Sequence, residues 1–355
     1  MTDTLLKSIL RNPSTILLLD GGTSTCLENI LQAKPEPQSF PDRNLWSSSL
    51  LLSASGRKDI QNAHDQFYDA GSDIVTTVTY QLSHFATRHG YDDETVDGLL
   101  LAAVDIARQS SASSYHKTKK KRYVVASLGC FGAVLADGSE YTGDYGSEMP
   151  IEELINFHKR RVQTLLSSES RGLAGLAFET IPCLKEVKAI VEMIKSLQEH
   201  HSGVFSWLSL ACKDEKTLND GTPLSDVLHT LNEMDPHGIL VQGIGVNCCN
   251  VKFIHELSQN IAKDVIASKC RRTVVLYPNS GEIWVADTET WLEGSGVSSE
   301  DDYAREMLKC IRGIHELCDE LKVPRLSVLV GGCCRTTPSM IKALRNSVDK
   351  YTSGL

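Results

Sequence analysis

The sequence predicts an α/β fold, a (β/α)8 TIM barrel, forming one domain over residues 1–355 with its core from about residue 15 to about residue 345. Three observations lead there. Eight short apolar runs alternate with helix-like segments along the chain. The runs are rich in Val, Ile, Leu and Thr and nearly continuous in apolar character, as parallel strands covered on both faces are. The Asp, Glu, Asn and Cys residues that stand out gather where those runs end, which in a barrel is the active rim. A doubly wound sheet shares the alternation and is the competing arrangement.

The predicted strands are Thr15–Asp20, Asp73–Tyr80, Tyr123–Leu128, Leu173–Glu179, Gly203–Leu210, Ile239–Asn247, Thr273–Tyr277 and Leu326–Val330. The first is followed by Gln32–Asp42, whose Pro35, Pro37 and Pro41 make it a loop. An amphipathic helix over Asp59–Ala70 leads into the second strand. Ser110–Arg122, Ser-rich and ending in a basic run, reads as a loop before the third strand. Helices over Ile151–Ser168 and Leu184–Glu199 flank the fourth strand, the latter helix starting after Pro182. Before the eighth strand, Asp301–Leu321 repeats Tyr303, Met307, Leu308, Ile311, Ile314 and Leu317 at helical spacing.

The totals exclude several classes. A net charge of −9 argues against broad binding to nucleic acid or anionic membranes. No apolar run approaches the ~20 residues that cross a bilayer, and the first residues lack the order of a secretory signal. The 11 cysteines form no disulfide framework, and an odd number cannot all pair within the chain. A reduced, cytoplasmic protein is expected. The run Lys117–Arg122 is either a nuclear import signal or a solvated charged loop, the second being the commoner origin of such runs.

Cys248 closes the sixth strand, and Cys333 and Cys334 close the eighth. Three thiolates bind zinc strongly and leave its fourth position open to a substrate. The competing reading is packing, because free cysteines serve as small buried hydrophobes. Packing is the expectation for the other eight, Cys249 included. Gly21-Gly22 after Asp20 either brings backbone N–H groups close to a ligand or makes an ordinary turn. Asp20 and Glu179, at the ends of strands one and four, either hold a substrate ammonium or pair with a neighbouring Lys or Arg. His64, His84 and His158 read as structural or surface residues. No phosphate-binding glycine motif supports a nucleotide cofactor.

Several strings resemble the zinc-dependent homocysteine S-methyltransferase family. They are Asp20-Gly21-Gly22, Gly245-Val246-Asn247-Cys248 and Gly331-Gly332-Cys333-Cys334-Arg335-Thr336-Thr337-Pro338. Longer strings, Ala136–Tyr145, Asp220–Leu224, Tyr277–Glu282 and the whole of Gly331–Pro338, are similar to its S-methylmethionine-using branch. The resemblance spans about Leu17 to Leu344. It implies a (β/α)8 barrel with one Zn2+ per chain on Cys248, Cys333 and Cys334. It places Asp20, Gly21, Gly22 and Glu179 in the homocysteine pocket, with Thr77 and Asn247 as further substrate-binding positions. The chain ends about twenty residues past the cysteine pair, which reads as lacking the long C-terminal arm of the betaine-dependent branch.

The function this implies is methyl transfer from a sulfonium, S-methylmethionine or S-adenosylmethionine, to the thiolate of L-homocysteine, giving methionine. No catalytic residue is expected beyond the zinc-activated substrate thiolate. Tyr80, Tyr141, Tyr145 and Trp46 are candidates to hold the sulfonium. The partners are small molecules, with no nucleic acid and no membrane, and the chain is expected as a monomer or small homo-oligomer. The alternatives are a betaine-dependent methyltransferase and a non-catalytic zinc or thiol redox sensor. A Schiff-base lyase would want a strand-end lysine, and none of the eight runs ends in one.

Overall fold

The computed structural model describes residues 5, 8–9, 12, 14–135, 137–146, 148–167, 172–197, 204–282, 284–285, 290–292 and 294–354. Eight parallel strands form one sheet: β1 (Ile16–Leu18), β2 (Ile74–Thr76), β3 (Tyr123–Gly129), β4 (Gly175–Ile181), β5 (Phe205–Leu210), β6 (Gly243–Asn247), β7 (Thr273–Tyr277) and β8 (Val328–Val330). Neighbours follow chain order from β2 to β8, and β8 pairs with β1. This is the predicted (β/α)8 barrel and not a doubly wound sheet. The seam between β1 and β2 has little ladder. Asp73 N–H donates to Leu18 O at 2.8 Å, and two carboxylates bridge the rest. Asp73 accepts from Leu18 N–H at 2.9 Å and Asp20 from Thr76 N–H at 2.8 Å.

The strands alternate their faces. Ile74, Val125, Ala177, Trp207, Val275 and Leu329 point inward and pack together, with Leu5 and Ile9 joining them from the N-terminal segment. Trp207 is fully buried because Gly243 leaves room for it, a Cβ there lying 2.7 Å from Trp207 Cβ. The opposite faces pack against the helices: α1 (Thr23–Gln32), α2 (Ala54–Ala70), α3 (Asp93–Thr118), α4 (Ile151–Leu165), α5 (Leu184–Ser196), α6 (Leu224–Met234), α7 (Ile254–Ser268), α8 (Glu300–Glu320) and α9 (Pro338–Ser353). Among the described residues no helix is long and apolar enough to cross a membrane.

Several boundaries differ from the sequence reading, the second strand for one ending at Thr76 and not Tyr80, and three have a visible reason. Ser110–Arg122 is not a loop, because α3 continues to Thr118. The small buried Ser110 and Ser114 let the helix pack closely, and Ser114 Oγ accepts from Arg122. Arg122, the last residue of the basic run, also donates to Ser72 O at 2.6 Å and Tyr68 O at 3.3 Å, so it is part of the fold. Strand six starts at Gly243 and not Ile239, since the N–H groups of Ile239, Leu240 and Val241 are taken by the Asp235 carboxylate. Helix α2 starts five residues early, at Ala54, where Ser53 Oγ caps Gly56 N–H. Residues 168, 198–199 and 203, edges of two predicted helices and one predicted strand, lie outside the described residues.

Candidate active site

The strand ends on one rim enclose a cavity of about 350 Å³. Asp20, Gly21, Gly22, Thr77, Glu179 and Asn247 all line it, as do Cys248, Cys333 and Cys334. The three Sγ atoms lie within 4.8 Å of one another, and Cys248 Sγ is 3.8 Å from Cys334 Sγ. A tetrahedral zinc with bonds of about 2.3 Å spaces its sulfur ligands roughly 3.8 Å apart, so the donor set and spacing fit that ion. All 11 cysteines are unpaired. Cys249 is buried in the strand–helix core and joins no cluster.

The thiols share protons. Hydrogen bonds from Cys248 and Cys333 hold the Cys334 thiol well below its ordinary value, while the same contacts push Cys248 up.

The two cysteine loops are joined through the end of β7. Asn279 Nδ2 donates to Cys248 O at 3.3 Å, and Asn279 Oδ1 accepts from Cys334 N–H at 3.1 Å. Cys333 N–H reaches Pro278 O at 2.8 Å, and Ser280 N–H reaches Cys334 O at 3.2 Å. Gly21 and Gly22 press on the Cys333–Thr336 loop from the other side. Neither has positive φ, so a sharp turn is not their purpose. A Cβ on Gly22 would lie 2.5 Å from Cys333 O, and one on Gly21 2.5 Å from Thr336 O. Gly22 N–H is already bonded to Thr336 O at 2.8 Å, so it is not available to a ligand.

At the ends of β4 and β6 the backbone is strained. Thr180 and Cys248 have φ of 61° and 52°, a region that a β-branched residue such as Thr180 rarely enters. Asn247 fixes the first: its Oδ1 accepts from Thr180 N–H at 2.7 Å and its Nδ2 donates to Thr180 Oγ1 at 2.8 Å. The register between β4 and β5 shifts at this point, which turns the end of β4 toward the cavity.

Among the described residues, four carboxyl groups line the cavity, Asp20, Glu28, Glu140 and Glu179, against one cationic side chain, Arg43. Burial pushes Asp20 up to about 8, against the bonds from Thr76 and with the Glu179 charge adding to it. Burial pushes Glu179 up to about 7, opposed by the hydrogen bond from Ser127 and reinforced by Cys333. Neither pairs with Lys or Arg among the described residues, so the ion-pair reading of these two acids does not hold. Thr77 Oγ1 is tied to Thr79 Oγ1 at 2.7 Å and accepts from Ser127 N–H at 3.1 Å.

Of the four aromatic candidates, Trp46, Tyr80 and Tyr141 line the cavity and Tyr145 does not. Tyr145 OH donates to Glu186 at 2.6 Å and its ring packs against Phe131, behind the site. Glu186 also bonds His158 at 2.8 Å, and burial holds His158 down at about 4. His158 is thus a neutral core residue, as is the fully buried His64, and His84 is bonded to Asp97 at 2.8 Å. Sequence reasoning did not single out Glu28, Arg43, Glu140 or Asn279. Glu140 and Asn279 lay within the family-like strings, and that was the available signal.

A barrel whose C-terminal rim carries a thiol cluster over a cavity has the make-up of an enzyme acting on small molecules there. The sequence model of the homocysteine S-methyltransferase family matches residues 17–348, and the chain belongs to that family. It is 32% identical over 352 residues to homocysteine S-methyltransferase 4 of Zea mays, covering 97% of this chain and 92% of the relative. It is 33% identical over 353 residues to a selenocysteine Se-methyltransferase of Brassica oleracea var. italica, covering 96% and 90%. Among solved structures it is similar to the homocysteine methyltransferase MmuM of Escherichia coli in its metallated form. There the TM-score is 0.74 and the identity 28%, over 96% of this chain and 99% of that one. The chain is a homocysteine methyltransferase.

Proposed function

We propose that the methyl donor is a sulfonium, S-methylmethionine or S-adenosylmethionine, and that one Zn2+ per chain, held by Cys248, Cys333 and Cys334, serves the reaction. The observation that carries this reading is the 3.8 Å sulfur spacing beside a cavity with four carboxyl groups and one cationic side chain. Zinc bound by the three thiolates would lower the pKa of an incoming thiol from about 8.5, making it a nucleophile at neutral pH.

The chain's own residues bind and align. Asp20 and Glu179 take the homocysteine ammonium, which supplies the positive charge that favours their ionised forms. The N-terminus of α1, capped by no side chain and bordering the cavity through Thr23, Ser24 and Thr25, suits the carboxylate. Thr77, Gly21, Gly22 and Asn247 shape the pocket and seat the cysteine loops. Trp46, Tyr80 and Tyr141 offer aromatic faces to the sulfonium. The homocysteine sulfur forms a bond to the donor's methyl carbon as the donor's C–S bond breaks, and the electron pair leaves with a neutral thioether. No proton moves in that step, in keeping with neutral, packed histidines. The unpaired thiols suit a reducing compartment such as the cytoplasm.

The test is methionine formation from L-homocysteine with S-methylmethionine, S-adenosylmethionine and betaine in parallel, on reduced protein of measured zinc content, before and after chelation. Chelator-sensitive turnover with a sulfonium and not betaine is expected; turnover with betaine alone, or full activity without zinc, overturns the reading. Selenocysteine belongs in the acceptor panel, given the Se-methyltransferase relative.

A further inference from the structure

We propose that Glu140 is the residue that recognises the donor's positive charge, its carboxylate facing the sulfonium beside the cysteine cluster. The inference rests on the sulfonium reading and adds a specificity-determining residue to it.

The other acids of the cavity have assignments or partners. Asp20 accepts from Thr76 and Thr23 and lies in the field of Glu179. Glu179 is held by Ser127. Glu28 feels the charge of Arg335. Glu140 pairs with no cationic side chain among the described residues; its side-chain partners are phenols, Tyr141 and, by a long 3.4 Å bond, Tyr80 OH. It nonetheless sits close enough to the cysteines to act on them: its charge raises Cys334, and Cys333 raises Glu140 in turn, beside the larger effect of burial. A half-buried carboxylate with no cation of its own is placed to accept one from a ligand.

The segment that carries Glu140 is built to hold it still. It lies on a short helix, Ser139–Thr142, between Gly138 and Gly143, both with left-handed φ. Asn219 Nδ2 donates to Glu140 O at 3.0 Å. The Asp137 carboxylate accepts from Ser139 N–H at 2.9 Å. Gly132 lets the helix approach, since a Cβ there would lie 2.5 Å from Glu140 N. Two other segments, at Asn219 and Gly132, and the local Asp137 turn therefore fix the backbone of one cavity carboxylate. Tyr80 and Trp46, edge to face with ring centroids 6.3 Å apart, stand next to it with the aromatic surface that favours a cation.

Homocysteine brings one cationic group, which Asp20 and Glu179 accommodate. A sulfonium donor brings a second positive centre that must sit beside the thiol cluster for its methyl to transfer. Glu140 is the cavity acid placed there without a cation of its own.

The test is Glu140→Gln, which keeps size and removes charge. The Michaelis constant for S-methylmethionine should rise roughly tenfold or more, the range for a charged hydrogen bond. Homocysteine KM, zinc content and thermal midpoint should stay as in the wild type. Methionine has the donor's skeleton without the charge, so its inhibition constant should not move. Glu140→Asp should recover most of the loss. A donor KM unchanged in Glu140→Gln while the wild type turns over the sulfonium overturns this inference alone. Equal weakening of methionine and S-methylmethionine, or a raised homocysteine KM, would make Glu140 structural and overturn it too. Wild-type turnover with betaine and no sulfonium overturns the donor reading and this inference with it.

Discussion

Gly22→Ala changes one methyl group 311 positions before Cys333, yet it should weaken metal binding. The added Cβ would stand 2.5 Å from the Cys333 carbonyl oxygen and 3.3 Å from Arg335 N. The first contact is about 1 Å inside ordinary van der Waals distance, and its partner is backbone. Either Gly22 withdraws, breaking its 2.8 Å bond to Thr336 O, or the cysteine loop moves. Zinc–sulfur bonds tolerate displacements of about 0.2 Å, so a loop shift several times larger spoils the ligand set. Overpacking of this kind costs about 1–3 kcal/mol of stability, and disturbed support of a ligand typically costs ten- to a hundredfold in metal affinity. Competition with a chromophoric chelator measures the affinity, and urea unfolding of the metal-free protein measures the stability. If Gly22→Ala matches the wild type in both, the close approach of the β1 and β8 loops is not what these glycines provide.

Cys248→Ala, Cys333→Ala and Cys334→Ala should each lose zinc, read by metal analysis, and activity while retaining the fold by circular dichroism; Cys249→Ala should retain both metal and activity. Asn279→Ala should cut zinc affinity about ten- to a hundredfold in chelator competition, since it severs the link between Cys248 and Cys334 without removing a ligand. Asp20 sets a pH dependence in the ligand-free protein. Its pKa is 3.8 unfolded and about 8 folded, so between those values the folded state binds the extra proton. Its contribution makes stability fall as pH rises through that window and level off above it, and Asp20→Asn should flatten the slope in denaturant titrations at stepped pH. Homocysteine binding at pH 7 should release protons, seen as a binding enthalpy that changes with the buffer's ionisation enthalpy.

The residues that were legible in sequence share one property: they stand at strand ends, where an apolar run stops on a polar or sulfur-bearing residue. That pattern marks Asp20, Glu179, Asn247 and the three cysteines without any knowledge of contacts. Glu140, Glu28 and Arg43 come from segments between strands, where no periodicity says which side chain faces inward. Asn279 escaped for a different reason: its importance lies in two bonds to backbone groups of residues 31 and 55 positions away. The helical Ser110–Thr118 was misread because serine counts against helix in isolation, whereas here small side chains and the Arg122 bond make close packing favourable. Tyr145 was misplaced because aromatic character alone does not distinguish a cavity wall from the packing behind it.

The charge pattern links binding to turnover on the proposed chemistry. Without ligands, burial keeps Asp20 and, near neutral pH, much of Glu179 protonated, so the cavity does not hold four bare carboxylates. A cationic ligand restores the ionised forms, and its own charge compensates their desolvation. Methyl transfer then cancels the sulfonium's positive charge against the thiolate's negative one, leaving two neutral thioethers and no net change of charge. The carboxylate and aromatic groups that attracted the donor lose the charge they recognised, whereas the ammonium groups keep theirs. The product from the donor should therefore be held more weakly than the donor, and the new methionine sulfur, no longer a thiolate, is a poorer ligand for the metal. Release is thus favoured on the sulfonium side of the cavity, where Glu140 loses its counter-charge, while Asp20 and Glu179 go on facing an ammonium.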